Sequence, residues 1–322
     1  MSHRGHGHPK RGRTWEHIVP VLCLLVAPSV ASSRPVLQFE SGLANGSPLV
    51  RPNAVCLSSD AQTLCVTDEA SQSIDLFDMH GFHQFRTDES SGISWPSDGT
   101  IDREGRFVFV EMSGLANRSI HRLSFLGEPD SYQAEQVDEA WRPVHLLISA
   151  DGNYVTTDGR GVVAKHDAES GALLWSLPLY DDDFERADQI GRPAEAADGT
   201  IYVPLTGARQ IAALSSDGKL LEQFGIPGSK VGELAFPVGV AVLGNGEILV
   251  LDRMRHCILV YSEDHTFLGE SGHFGRGPGE FYHPVSIAAS TDGEVYVAQG
   301  FEGRVQRFRL VDSELSRKDS GS

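Results

Sequence analysis

Short apolar runs recur along the chain in a fixed order, separated by polar turns. Each unit opens on a proline: Pro52, Pro96, Pro143, Pro193, Pro237 and Pro284, at spacings of 44, 47, 50, 44 and 47 residues. An apolar strand follows, then a tight turn, a second apolar strand, a polar loop and a third strand. The turns include Glu104-Gly105, Asp151-Gly152, Asp198-Gly199, Asn245-Gly246 and Asp292-Gly293. Such dipeptides supply the left-handed backbone that a two-residue hairpin needs. The second strands are rich in β-branched and aromatic residues, as in Phe107-Val108-Phe109-Val110 and Val295-Tyr296-Val297; the third strands include Ile74-Asp75-Leu76-Phe77 and Ile258-Leu259-Val260-Tyr261. Six units of four short antiparallel strands predict an all-β chain folded as a six-bladed β-propeller.

The ends of the chain fit a closed ring. Residues 37–42, before Pro52, match residues 221–225 before Pro237 and 268–272 before Pro284. This segment reads as a fourth strand with no first three ahead of it, and the last unit stops after its third strand near Leu310. The N-terminal strand is therefore expected to close the last blade, which removes exposed sheet edges. The propeller is placed at residues 32–312, with the polar residues 313–322 as a disordered tail.

Phe274-Gly275-Arg276-Gly277-Pro278-Gly279-Glu280-Phe281, then Pro284 and residues 292–298, resembles an NHL repeat. The unit from Gly232 to Arg253 is similar. The resemblance is strong over residues 190–310, and over 36–190 only the skeleton of proline, turn and strand carries it. It implies a six-bladed NHL-type propeller. It does not imply one function, because function resides in sites rather than in folds. Amidating lyases of similar repeat place metal-binding histidines directly after the repeat prolines. Here those positions hold Asn53, Ser97, Val144, Ala194, Val238 and Val285, with His145 one position late and His283 one early. Lactonase-like propellers hold calcium with Glu, Asn and Asp, for which Asn53 and Glu195 are isolated candidates. NHL domains that bind RNA use a basic face.

Charge argues against that last use. The chain has 27 basic and 44 acidic residues, or −17. Phosphate neutralisation needs Lys and Arg, so no nucleic-acid partner is expected. Residues 1–17 carry Arg4, Lys10, Arg11 and Arg13, an apolar run follows at 18–26, and Ser29-Val30-Ala31 forms a small-x-small site. Residues 1–31 thus read as a signal peptide that sends the protein to a secreted, periplasmic or extracellular location. The apolar run is shorter than the roughly 20 residues of a spanning helix, so no stable membrane span is expected; the alternative is a membrane tether by an uncleaved N-terminus. Without residues 1–31 the balance is 23 basic to 43 acidic residues, or −20. Three cysteines remain. Cys56 and Cys65 flank the turn at 58–62 and are candidates for a disulfide or for burial as two small apolar side chains, while Cys257 reads as a buried strand residue.

Two rows of positions bear on chemistry. Two residues after each repeat proline stand Ala54, Asp98, His145, Glu195, Gly239 and Ser286. At the ends of the second strands stand Asp68, Glu111, Asp158, Leu205, Asp252 and Gln299. If the first row lines the channel, Asp98, His145 and Glu195 form a carboxylate–imidazole–carboxylate set able to hold zinc or calcium. The aspartates of the second row are expected to cap the following loops. The acidic run at 181–188 lacks the oxygen spacing of a calcium loop and reads as a solvated connection. Trp95 and Trp141 read as packing between blades. No nucleophile elbow, P-loop or dinucleotide fingerprint occurs. With no complete catalytic set, the sequence points to an exported propeller that binds a protein or peptide; the alternative is a metal-dependent lyase or hydrolase, amidating-lyase-like or lactonase-like, with its site in the channel.

Overall fold

Most strands are apolar on both faces, and the reason is visible in how the sheets stack. A computed structural model describes residues 35–43, 49–58, 62–111, 119–180 and 190–312. The expected signal peptide, the acidic run at 181–188 and the tail at 313–322 lie outside these. Six sheets form a ring of blades. Blade 1 comprises Pro52–Leu57, Thr63–Asp68, Ser73–Asp78 and His83–Thr87. Blade 3 runs from Pro143–Ile148 to Leu173–Pro178, blade 4 from Ala194–Glu195 to Leu220–Phe224, and blade 5 from Pro237–Val242 to Phe267–Ser271.

Blade 6 contains Pro284–Ala289, Glu294–Gln299 and Arg304–Asp312, and its outer strand is Pro35–Gly42. The two chain ends therefore meet in one sheet, as the sequence pattern requires. Phe39 pairs with Phe308 across the closure, with ring centroids 5.8 Å apart, edge to face. Closure by hydrogen-bonded strands from opposite ends ties the ring together and pairs the edge of Arg304–Asp312 that would otherwise be open.

Blade 2 departs from the four-strand pattern. Among the described residues it has three strands, Pro96–Ile101, Phe107–Glu111 and Ile120–Leu123, and then a single bridge between Leu123 and Pro129. Pro129 has no N–H for a ladder. The segment instead crosses to blade 3, where Glu135 N donates to Gly171 O. The approach is so close that a Cβ on Gly171, at φ 75°, would lie 1.9 Å from Gln133 O.

Among the described residues the core consists of six apolar clusters, one between each pair of neighbouring blades. Between blades 1 and 2 it holds Cys56, Cys65, Ile74, Phe107 and Phe109; between blades 6 and 1 it holds Leu64, Val66, Phe77, Tyr296 and Val305. Leu64 and Val66 thus face one neighbour and Cys65 the other, as the two-residue period of a strand dictates. This explains the continuous apolar runs. Trp141 is wholly buried between blades 2 and 3. Trp95 corrects the expectation that it packs likewise: its backbone lies at φ 47° and the residue is 47% exposed. Among the described residues no helix is long and apolar enough to cross a membrane.

Candidate functional site

The second-strand ends are structural. Asp68, fully buried, accepts from Val50 N, Arg51 N, Ala70 N and Ser71 N at 2.6–3.1 Å. Asp252 repeats this with Ala235 N, Phe236 N, Met254 N and Arg255 N at 2.7–3.1 Å. Asp158 accepts from Arg160 N and Val162 N, and Glu111 from Ser94 N. In blade 6 Gln299 does the same work with an amide: its Oε1 accepts from Tyr282 N and its Nε2 donates to Glu280 O. Asp68 and Asp252 thus join the loop entering a blade to the loop leaving its second strand, whereas Asp158 holds backbone of the leaving loop and Glu111 and Gln299 hold backbone of the entering one. We call the face that carries these loops the upper face.

The first row lies along the channel wall, and blade 4 enters it with a different register from that expected. Glu195 pairs with Ile201, six residues on. In blades 3 and 5 the pairs with this spacing are Ile148 with Tyr154 and Val242 with Ile248, the last residues of the inner strands. Glu195 is therefore the counterpart of Ile148, not of His145, and the member of the row in blade 4 is Arg192. Pro193 sits inside the inner segment rather than at its start. Lacking an N–H, it limits the ladder to Ala194 and Glu195, and the chain before it pairs with blade 5 instead, through Arg192 N to Val238 O (2.9 Å) and Val240 N to Arg192 O (3.3 Å). A Cβ on Gly191 would lie 2.5 Å from Val238 O, so this approach needs glycine.

The corrected row reads Ala54, Asp98, His145, Arg192, Gly239 and Ser286. Three small members leave the middle of the channel to Arg192. Its Nε donates to Asp98 Oδ2 at 2.9 Å and its Nη2 to Leu146 O at 3.2 Å. Asp98, fully buried, also accepts from Leu146 N at 3.0 Å and Gly99 N at 2.8 Å. Burial opposes the charge of Arg192, but the Asp98 carboxylate outweighs it and raises the guanidinium pKa. This pair spans from blade 4 to blade 2 in front of blade 3.

Two cavities flank it. The upper, about 210 Å³, is lined by Val144, Gly191, Val238 and Val285 together with Asn53, Ser97, His145, Glu69, Phe236 and Arg253. The lower, about 160 Å³, is lined by residues further along the inner strands, including Cys56, Thr100, Ile148 and Glu195. No residue lines both.

The structure thus brings Asp98 and His145 together, with His145 Nδ1 3.9 Å from Asp98 Oδ2, and sets Glu195 apart at the lower end. There Glu195 accepts from Ser149 Oγ at 2.8 Å and from Ala150 N. The zinc or calcium set does not fit. Among the described residues no three His, Cys, Asp or Glu side chains converge, and a dication at Asp98 would face the Arg192 guanidinium already 2.9 Å from its carboxylate. Cys56 and Cys65 stand directly opposite each other across the hairpin as buried free thiols. Cys56 Sγ donates to Gly99 O at 3.0 Å. Cys257 is a buried strand residue whose thiol pKa burial pushes up to about 12.

Residues 234–261 match the NHL repeat family. No curated protein matches the chain. Among solved structures it is similar to a streptogramin B lyase, at 15% identity and TM-score 0.59 over 85% of this chain and 98% of that one. It is also similar to Kuenenia stuttgartiensis hydrazine synthase, at 17% and 0.57 over 80% and 83%. A third likeness is to the β-propeller domain of a Myceliophteria thermophila protein, at 10% and 0.58 over 81% and 83%. At these identities the likeness shows the fold alone. The chain is thus a six-bladed β-propeller that closes on its own N-terminal strand and carries an NHL repeat at 234–261.

Proposed function

We propose that this propeller is an exported binding module that takes a protein or peptide segment on its upper face, with the upper cavity receiving one side chain or chain end. One observation supports the reading: beside the Asp98–Arg192 pair lies a cavity of about 210 Å³ with Val144, Val238 and Val285 in its wall, sharing no lining residue with the cavity below. Concave apolar sites with a few polar groups at the rim suit ligands of this size. The lining also offers the polar groups of Glu69, Asn53 and Arg253. Export rests on residues 1–31 alone, and N-terminal sequencing of the protein made in its own cell tests it: a mature chain starting near residue 32 supports export, and an intact Met1 in the cytoplasm refutes it.

The binding test is selection of displayed random peptides on residues 32–322, followed by titration of the selected peptides. The reading predicts saturable 1:1 binding that Val144→Trp or Val238→Trp, which fill the cavity, weakens at least tenfold. Peptides that bind the filled variants as well as the native protein would refute it. The alternative, a lyase or hydrolase working in the same cavity, rests on His145 reaching that cavity beside Asp98.

A further inference from the structure

The first hairpin of blade 1 sets two thiols face to face beside the lower cavity, and neither the upper pocket nor the loop caps account for them. Cys56 and Cys65 are direct partners in the antiparallel register, so their side chains leave the same face of the sheet. Directly opposed residues have Cα atoms about 4.5 or 5.5 Å apart, and both spacings lie inside the roughly 4.4–6.8 Å that a disulfide spans. The two sulfurs are therefore placed to bond with the backbone as it stands.

The surroundings separate this pair from a cysteine that only packs. Cys56 lines the lower cavity, whereas Cys257, equally buried, lines neither cavity. Thr100 and Arg192 line the lower cavity with Cys56. Arg192 engages Asp98 through Nε and Leu146 O through Nη2, and among the described residues its Nη1 has no acceptor. The cavity extends to the lower ends of the six inner strands, where Leu57, Ile101, Ile148, Glu195, Val242 and Ala289 line it and are each half-buried. That end gives it contact with solvent. At about 160 Å³ it suits a solute of a few atoms.

The two thiols are not equivalent. Hydrogen bonding from the Cys65 thiol outweighs burial and lowers the Cys56 pKa, with the Arg192 charge acting in the same direction and Asp98 against it. The same contact, with burial, raises the Cys65 pKa. Cys56 is thus the first to lose its proton, which as a thiol it donates to Gly99 O at 3.0 Å. The thiolate is the reactive form of cysteine, and a neighbouring thiol resolves its oxidised product.

We propose that Cys56 and Cys65 form a dithiol site that reduces hydrogen peroxide or a small organic hydroperoxide in the lower cavity. The Cys56 thiolate attacks the terminal peroxide oxygen. An S–O bond forms, the O–O bond breaks, and the departing oxygen takes up the proton that Cys56 released. Arg192 Nη1 and the Thr100 hydroxyl are the cavity's donors for the oxygen that gains charge. The Cys65 sulfur then attacks the Cys56 sulfur. An S–S bond forms, and the hydroxyl leaves as water with the Cys65 proton. The thiol pair loses two electrons, and the hydroperoxide becomes water and an alcohol, or two waters from hydrogen peroxide. A small external thiol, itself oxidised to its disulfide, returns the pair to the reduced state.

The test uses the full-length protein, reduced and freed of reductant, then treated with hydrogen peroxide and followed by mass spectrometry of alkylated peptides. A disulfide linking the Cys56 and Cys65 peptides is expected to form at least tenfold faster than Cys257 oxidises in the same sample. Cys65→Ala should leave a sulfenic acid at Cys56 that dimedone traps, and Cys56→Ala should leave Cys65 unmodified over the same time. Thr100→Val should slow the native reaction at least threefold, with circular dichroism checking the fold of each variant. If Cys56 oxidises no faster than Cys257, or only in urea, the pair is packing and the proposal falls. If dimedone marks Cys65 in place of Cys56, the assigned roles fall with it. If the small disulfide cystamine oxidises the pair tenfold faster than peroxide at equal concentration, the site exchanges disulfides and the peroxide proposal falls.

Discussion

Arg192→Met tests the interpretation of the channel most directly. Asp98 is wholly buried and accepts three hydrogen bonds, from Gly99 N, Leu146 N and Arg192 Nε. The substitution removes the only one of these that brings a positive charge, and it also leaves Leu146 O without its Nη2 donor. Breaking a buried ion pair by removing one member costs about 3–5 kcal/mol, because the remaining charge stays desolvated. The two backbone donors that remain soften the cost, which points to about 3 kcal/mol. Asp98→Asn combined with Arg192→Met leaves no buried charge and keeps one amide oxygen for Leu146 N. Losing about one or two neutral hydrogen bonds then costs about 1–2 kcal/mol. The double variant should therefore be more stable than Arg192→Met alone. Urea unfolding at pH 7 followed by circular dichroism, arranged as a double-mutant cycle, measures this. An Arg192→Met cost below about 1 kcal/mol, or single costs that simply add, would refute the idea that a buried ion pair ties blade 4 to blade 2 at the channel.

Three further outcomes follow from particular residues. Burial lowers the pKa of His166, whose Nε2 donates to Glu135 O at 2.8 Å while its buried Nδ1 has no partner. Its folded pKa lies below the unfolded value of about 6.5, so its contribution is complete above that pH and is lost as pH falls through the folded value. Urea midpoints between pH 8 and 5 should thus fall more steeply for the native protein than for His166→Phe, and equal slopes would contradict the assignment. Gly171→Ala, with its Cβ forced against Gln133 O, should cost at least about 2 kcal/mol. Gly105→Ala, also at positive φ but with open space around it, should cost about 1 kcal/mol in the same assay; equal costs would mean that the crossing from blade 2 to blade 3 is not tight. Elemental mass spectrometry of residues 32–322 purified without chelator should find no stoichiometric zinc or calcium. One ion per chain, lost in His145→Ala, would overturn the finding that the channel set does not fit a metal.

Much of the fold is written locally. A proline, a tight turn and two apolar strands identify each blade, and the match of residues 37–42 to the fourth strands of blades 4 and 5 shows how the ring closes. The loop caps were equally legible, because an aspartate at a strand end has few other partners for its oxygens. The thiol site was legible only in part. The turn between Cys56 and Cys65 sets them opposite each other, but Thr100 and Arg192 line the same cavity from two other blades. Which side chains share a cavity depends on how the blades meet around the channel, and no spacing rule records that.

The channel shows how one signal can mislead where another is sound. Taking each proline as the first residue of an inner strand puts Glu195 beside His145. Turn glycines mark the hairpin itself, and Gly105, Gly152, Gly199, Gly246 and Gly293 recur every 47 residues without exception. That period places the blade 4 counterpart of His145 at Arg192, three residues before Glu195, as the strand register confirms. The glycines are the better ruler for a physical reason. A two-residue hairpin admits few residue types and fixes the register of both its strands, whereas a proline is tolerated anywhere on an inner strand that does not need its N–H. The three-residue difference decides the chemistry of the channel: with Glu195 in the row, two carboxylates flank an imidazole and invite a cation, and with Arg192 there the cation is already part of the chain.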